Sequence, residues 1–211
     1  MTPSRWTPAV RMGLSISVAT GLYGISFGAL AVAAGLSLWQ PMALSALMFT
    51  GGSQFAFIGV IAAGGAGSAA VGAASLLGVR NAIYGMQMNH MLRPTASGQL
   101  AAQEQQRGFW TAGLGVFVLW NACTLLGAWM GDALGDPRQW GLDGAAVAAF
   151  LGLLWPRLQQ REPMALAVLS GVVTALMIPV LPPGLPILGA AAVGAAWGWW
   201  RSASDAGQGQ A

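Results

Sequence analysis

The sequence predicts an all-α, polytopic integral membrane protein. Six to seven apolar helical segments are expected, one of them broken or re-entrant near residues 50–54. Three observations carry this prediction. Charged residues make up 7% of the 211-residue chain, as nine arginines, six acids and no lysine, against about 25% in an average soluble domain. Hydrophobic residues make up 55%, so the chain lacks the polar surface that a water-soluble fold needs. Apolar runs of about the 20 residues needed to cross a bilayer follow one another along nearly the whole chain, at roughly 12–36, 41–64, 67–92, 109–131, 140–155, 163–181 and 185–200.

The first run follows Arg5 and Arg11. It exceeds the roughly 7–15 residues of a secretory signal core, which makes it a retained first helix. The second run carries Thr50-Gly51-Gly52-Ser53-Gln54 at its centre. Paired glycines and polar side chains at mid-bilayer depth predict backbone that leaves the helix, which is tolerated only against protein or a wet cavity. The alternative is a glycine-softened helix whose Ser53 and Gln54 bond neighbouring helices. Between the third and fourth runs, 93–108 holds the longest polar stretch. Asp132 and Asp136 fall among Gly131, Gly135 and Pro137, a turn by composition. Ala56–Ile61 is echoed by Ala149–Leu154, a pattern consistent with an inverted repeat. Residues 1–201 read as one transmembrane domain and 202–211 as a disordered tail.

Arginine placement tests the number of crossings. If all seven runs span, Arg5, Arg11 and Arg138 oppose Arg93, Arg107, Arg157, Arg161 and Arg201, a weak asymmetry in either orientation. If one of the first three runs enters and leaves on the same side, seven of these arginines face the cytoplasm and only Arg138 does not. The positive-inside rule therefore favours a re-entrant segment before Arg93.

Polar side chains within apolar runs are the candidates for function. Arg80, Asn81 and Tyr84 lie in the third run, with Arg80 and Tyr84 on one helix face. An arginine at a helix centre costs about 2.5–3.5 kcal/mol on insertion scales. It therefore forks a carboxylate in a cavity, pairs with an acid such as Asp143, or snorkels to the interface. Trp120 and Asn121 lie half-way through the fourth run, away from the interfaces tryptophan prefers. Asp143, at the start of the fifth run, either faces a cavity or caps its helix. Trp39, Trp110, Trp140, Trp155, Trp199 and Trp200 sit near run ends as interfacial anchors.

Several classes are excluded. The arginines form no basic stripe, so nucleic acid is not a partner. Cys123 and His90 are the single cysteine and histidine, so neither an internal disulfide nor a His/Cys metal site can form. No catalytic or phosphate-binding motif is present, and no catalytic residue, metal or cofactor is assigned.

Taken together, Tyr23 to Gly35, Gly52-Ser53-Gln54-Phe55, Arg80-Asn81-Ala82-Ile83-Tyr84-Gly85, Trp120-Asn121 and Gly141-Leu142-Asp143 resemble the AzlC family, over about Gly13 to Trp197. The resemblance implies a multi-pass bacterial inner (plasma) membrane permease exporting branched-chain or other hydrophobic amino acids. It also implies a small AzlD-type membrane partner. Mapped onto this chain, the resemblance puts Ser53, Gln54 and Arg80 near the pathway. With the polar residues above, the candidate substrate or pathway set is Gly52, Ser53, Gln54, Arg80, Asn81, Tyr84, Trp120, Asn121 and Asp143. Arg80 and the N–H groups of the broken helix are expected to hold the carboxylate, and apolar residues such as Phe55 and Phe57 the side chain. One departure is present: 93–108 contains Glu104 as its single acid, where the family usually carries an acidic, threonine-containing stretch. A non-transporting or degenerate membrane subunit, or a channel for small polar solutes, are the alternatives.

Overall fold

A computed structural model describes residues 6–48, 50–91 and 99–208. At Arg80, Tyr84, His90, Asp132 and Arg138 it describes the backbone and not the side chain. Among the described residues the fold is all-helical. The helices are α1 (Pro8–Leu22), α2 (Gly24–Ala33), α3 (Trp39–Leu47), α4 (Gly51–Ala62), α5 (Gly67–Met91) and α6 (Gln99–Leu134). A short 3-10 turn, Pro137–Trp140, leads to α7 (Leu142–Leu158), α8 (Arg161–Met177) and α9 (Leu185–Gln208). The residues 202–208, expected as tail, continue α9, and 209–211 lie outside the described residues.

Local chemistry explains the helix ends that matter. Thr7 caps α1 by accepting a hydrogen bond from Val10 N–H at 3.4 Å, with Pro8 in the first turn. The chains leaving α2 and α4 turn through glycines of positive φ, Gly35 at 91° and Gly64 at 79°. At each, a residue beyond the glycine reaches back five positions: Leu36 N–H to Ala31 O at 3.1 Å and Gly65 N–H to Val60 O at 2.8 Å. These are glycine-dependent helix stops.

The run expected as one helix over 12–36 is two helices. They break at Tyr23, between Gly21 and Gly24, both of which are pressed against α6. A methyl group added at Gly21 would lie 2.6 Å from Leu119 Cβ, and one at Gly28 would lie 2.6 Å from Ala128 N. Gly13 meets Ala112 in the same way, and Gly131 meets Val32. Numbers rise together along both partners, so α1–α2 runs parallel to α6. Close backbone approach through small residues is how helices associate where lipid offers no hydrophobic drive. Gly24 and Gly28, spaced as a dimerisation motif, are used within the chain.

Parallel partners require an odd number of net traverses between them, and α3–α4 supplies an even number. Ser37 N–H bonds Gln40 Oε1 at 2.8 Å where α3 leaves the end of α2. Further on, Ser45 Oγ meets Thr124 Oγ1 at 3.4 Å, in the second half of α6. There α3 ends. Thr50 is extended (φ −151°, ψ 100°), and α4 starts at Gly51 beside Trp120 and Tyr23. It then climbs back until Ile58 and Ile61 pack with Leu36 and Ala34. Both outer ends of this helical hairpin therefore lie at the end of α2, with its tip half-way down the bundle. α5 descends antiparallel to α4: Ala70 and Ala73 pack on Val60, and Gly78 backs onto Ser53 Oγ.

The remaining helices complete the bundle. α7 starts beside Ala33 and Ala34 and descends past Tyr23. α9 starts next to Val60 and Ala69, and at its far end Trp197 and Arg201 grip Glu162 of α8 at 3.2 and 2.7 Å. Arg11, Arg107, Arg161 and Arg201 thus gather at one end, and the turn bearing Arg138 lies at the other. The outer surface is apolar: Leu47, Leu176, Val180 and Trp199 are 87, 68, 77 and 81% exposed. Pro8–Ala33 and Ala102–Gly131 are each long and apolar enough to cross a bilayer.

Candidate functional site

The break before α4 gathers polar groups that a packed core would pair. Thr50 occupies the N-cap position without bonding a first-turn N–H; its hydroxyl meets the Ser53 hydroxyl at 3.3 Å instead. A helix cannot satisfy its own first N–H groups, so the start of α4 presents those of Gly51, Gly52 and Ser53 with the positive end of the helix dipole. Ser53 and Gln54 are fully buried. Gln54 Nε2 donates to Leu44 O at 3.0 Å and ties the two arms of the hairpin together. Its Oε1 is buried with no partner, and so is the indole Nε1 of Trp120, which is 2% exposed. Unpaired buried groups of this kind each cost about 1–3 kcal/mol.

Aromatic rings from four helices cover this break. Trp120 stands edge-on to Tyr23 (ring centres 4.8 Å apart) and stacks near Phe27 at 6.1 Å. Phe55 meets Phe150 of α7 edge-on at 5.6 Å, and Tyr23 lies 6.2 Å from Phe55 and 6.4 Å from Phe150. Above these rings is a cavity of about 920 Å³, with Phe55 and Phe150 at its floor. Leu30, Ile58 and Val147 form its walls, and Asp136 and Asp143 line the end that reaches the Arg138 turn. The order from that end inward is acidic mouth, apolar wall, aromatic floor, polar break.

A family profile, AzlC protein, matches residues 15–134. The chain belongs to the AzlC family. Comparison with curated proteins and with solved structures found no match. The matched stretch covers the α1–α2/α6 seam, the α3–α4 hairpin and α5, and stops before α7. AzlC is a membrane-transport family, so this chain is a membrane protein concerned with transport.

The residues singled out from the sequence divide within this AzlC fold. Gly52, Ser53, Gln54 and Trp120 come together at the break. Asp143 lines the cavity mouth, exposed, and its Oδ1 accepts from Gly144 N–H at 2.9 Å. The N-cap position of α7 is Gly141, with no side-chain cap bond, so Asp143 stands in the first turn of the helix and faces the cavity mouth. Asn121 is turned to its own helix, donating from Nδ2 to Phe117 O at 2.9 Å. Asn81 is exposed on α5. Arg80 follows Gly78, the residue behind Ser53, by two positions; its side chain and that of Tyr84 lie outside the described residues. Phe57 does not line this cavity; it packs against both buried clusters, the one with Phe27, Ile58 and Trp120 and the one with Val60 and Ala70. Sequence reasoning missed Tyr23 and Phe150. Tyr23 carried a signal, a polar-tipped ring inside an apolar run, whereas Phe150 was visible only within the Ala149–Leu154 echo.

Proposed function

We propose that this AzlC protein is a secondary exporter of branched-chain or other hydrophobic amino acids in a bacterial plasma membrane, acting with a small AzlD-type subunit. The observation that carries the proposal is the uncapped start of α4 at mid-bundle, directly beneath the aromatic floor of a cavity with apolar walls. A helix start of this kind favours a carboxylate. The walls and floor of the cavity favour an aliphatic side chain. Arg80, expected from the sequence to hold the carboxylate, lies on α5, the helix whose Gly78 backs Ser53. The chain has no phosphate-binding loop, so an ion or substrate gradient drives the cycle.

In this reading the chain crosses six times, with the α3–α4 hairpin dipping in from the outer face. Both termini are cytoplasmic, and the cavity faces outward. Access alternates when the aromatic floor parts and the opposite end opens.

The test is valine efflux from cells loaded with a valine-containing dipeptide, with the chain and an AzlD-type partner co-expressed. Faster efflux that needs both the partner and Arg80, and is lost in Arg80→Ala, is expected. Efflux equal to empty vector, with the protein present in the membrane, contradicts valine export. It would favour the non-transporting subunit that the acid-poor 93–108 stretch also fits.

A further inference from the structure

We propose that the indole N–H of Trp120 and the first-turn N–H groups of α4 form one carboxylate subsite, with the Tyr23 hydroxyl at its rim. The inference deepens the amino-acid transport reading and rests on it for the identity of the ligand. Three observations place the groups together. The outer edge of the Trp120 ring lies on Gly51: a methyl group there would sit 3.4 Å from Cη2 and 3.8 Å from Cζ2. Nε1 shares that edge of the indole, since it and Cζ2 are bonded to the same carbon. Tyr23 Oη lies 3.4 Å from the same position. Gly51 has no side chain, and a methyl group at its position would be in ordinary contact with Cη2, Cζ2 and Tyr23 Oη.

Pairing argues that the subsite acts on a ligand. Trp120 is 2% exposed and its N–H has no acceptor, although a buried tryptophan N–H ordinarily finds one. Thr50, the residue placed to cap α4, spends its hydroxyl on Ser53. The unmatched donors at the break, the Trp120 N–H and the first-turn N–H groups of α4, point to an acceptor carrying negative charge, while the unmatched acceptor Gln54 Oε1 is left for a donor such as the ammonium of the same ligand. A carboxylate offers two oxygens, so one can take the backbone N–H groups and the other the indole. None of these donors carries a formal charge. The bound anion is therefore released without breaking an ion pair, which suits a carrier that must let its substrate go.

The test uses the full chain in lipid nanodiscs, with 15N in the tryptophan side chains and the Trp120 indole resonance assigned by its absence in Trp120→Phe. Leucine, leucinol (which lacks the carboxylate) and 4-methylpentanoate (which lacks the ammonium) are titrated in turn. Leucine and 4-methylpentanoate are expected to shift the Trp120 resonance saturably, and leucinol is not. Trp120→Phe, which keeps an aromatic ring but removes the N–H donor, is expected to weaken leucine binding about ten- to hundredfold, the worth of one hydrogen bond to a charged group, and to weaken leucinol binding by much less. If leucine binds and the Trp120 resonance does not move, the subsite is wrong and the transport reading stands. If leucine binds nowhere and 4-methylpentanoate still shifts Trp120, the subsite stands and the amino-acid reading falls. A resonance that no carboxylate moves overturns the subsite.

Discussion

Gln54 separates a structural from a functional role at the scale of one side chain. Its Nε2 bonds Leu44 O, but Leu44 O also accepts Met48 N–H at 3.0 Å and would not be stranded without it. Its Oε1 has no partner. Replacing a half-paired buried amide by an apolar group of like shape is close to neutral for stability. Gln54→Leu is therefore expected to keep its melting temperature in detergent, within about 1 kcal/mol, while efflux falls at least tenfold. A large loss of stability with the residual transport intact would make Gln54 a structural residue instead. The sequence made Gly52, Ser53, Gln54 and Trp120 legible because polar or indole groups at mid-run depth need a reason to be there. It made Tyr23 and Phe150 hard to see, because an aromatic residue in an apolar run reads first as core. Asn121, chosen on the same logic as Trp120, bonds its own helix.

At the scale of elements, the α1–α2/α6 seam and the α3–α4 break follow from glycine in two different ways. In the seam, glycine removes volume. A methyl group at Gly28 would run into Thr124 O and lie 2.6 Å from Ala128 N, so Gly28→Ala must push two backbones apart. It is expected to cost about 1–3 kcal/mol, as overpacking does, read as a lower melting temperature. Gly194→Ala in α9, where nothing lies within 4 Å, is the control. It should be neutral or slightly stabilising, since alanine is the better helix former. Equal losses at both positions would show that the seam is not packed this closely. In the break, glycine sits beside Thr50, Ser53 and Gln54, and that combination was readable in the sequence. The break at Tyr23 was not, because Gly21 and Gly24 in isolation look like the other glycines of a glycine-rich chain. What bends the helix there is contact with α6, a hundred residues away in the chain. A tie between α8 and α9 belongs to this scale too. The Glu162–Arg201 pair is about half exposed, so Glu162→Gln is expected to leave melting within about 1 kcal/mol.

For the whole molecule, the arginines already indicated the path of the chain. One re-entrant segment before Arg93 puts seven arginines on one side and Arg138 on the other. The parallel α1–α2/α6 pair and the hairpin that turns back to the end of α2 are the packing on which the proposed six-crossing path is built. Which helices pack side by side was not legible, because apolar periodicity carries little contrast when lipid-facing and buried surfaces are both hydrophobic. The claim on which the proposed function depends is that α3–α4 enters and leaves on the outer face and carries the polar break to mid-bilayer. Single cysteines at Ser37, Gly67 and Arg201, each in a Cys123→Ser background, test it with a membrane-impermeant maleimide on intact cells. Ser37→Cys and Gly67→Cys should both react from outside, and Arg201→Cys only after permeabilisation. Reaction of Ser37→Cys and Gly67→Cys from opposite sides would make α3–α4 a full crossing and contradict the account.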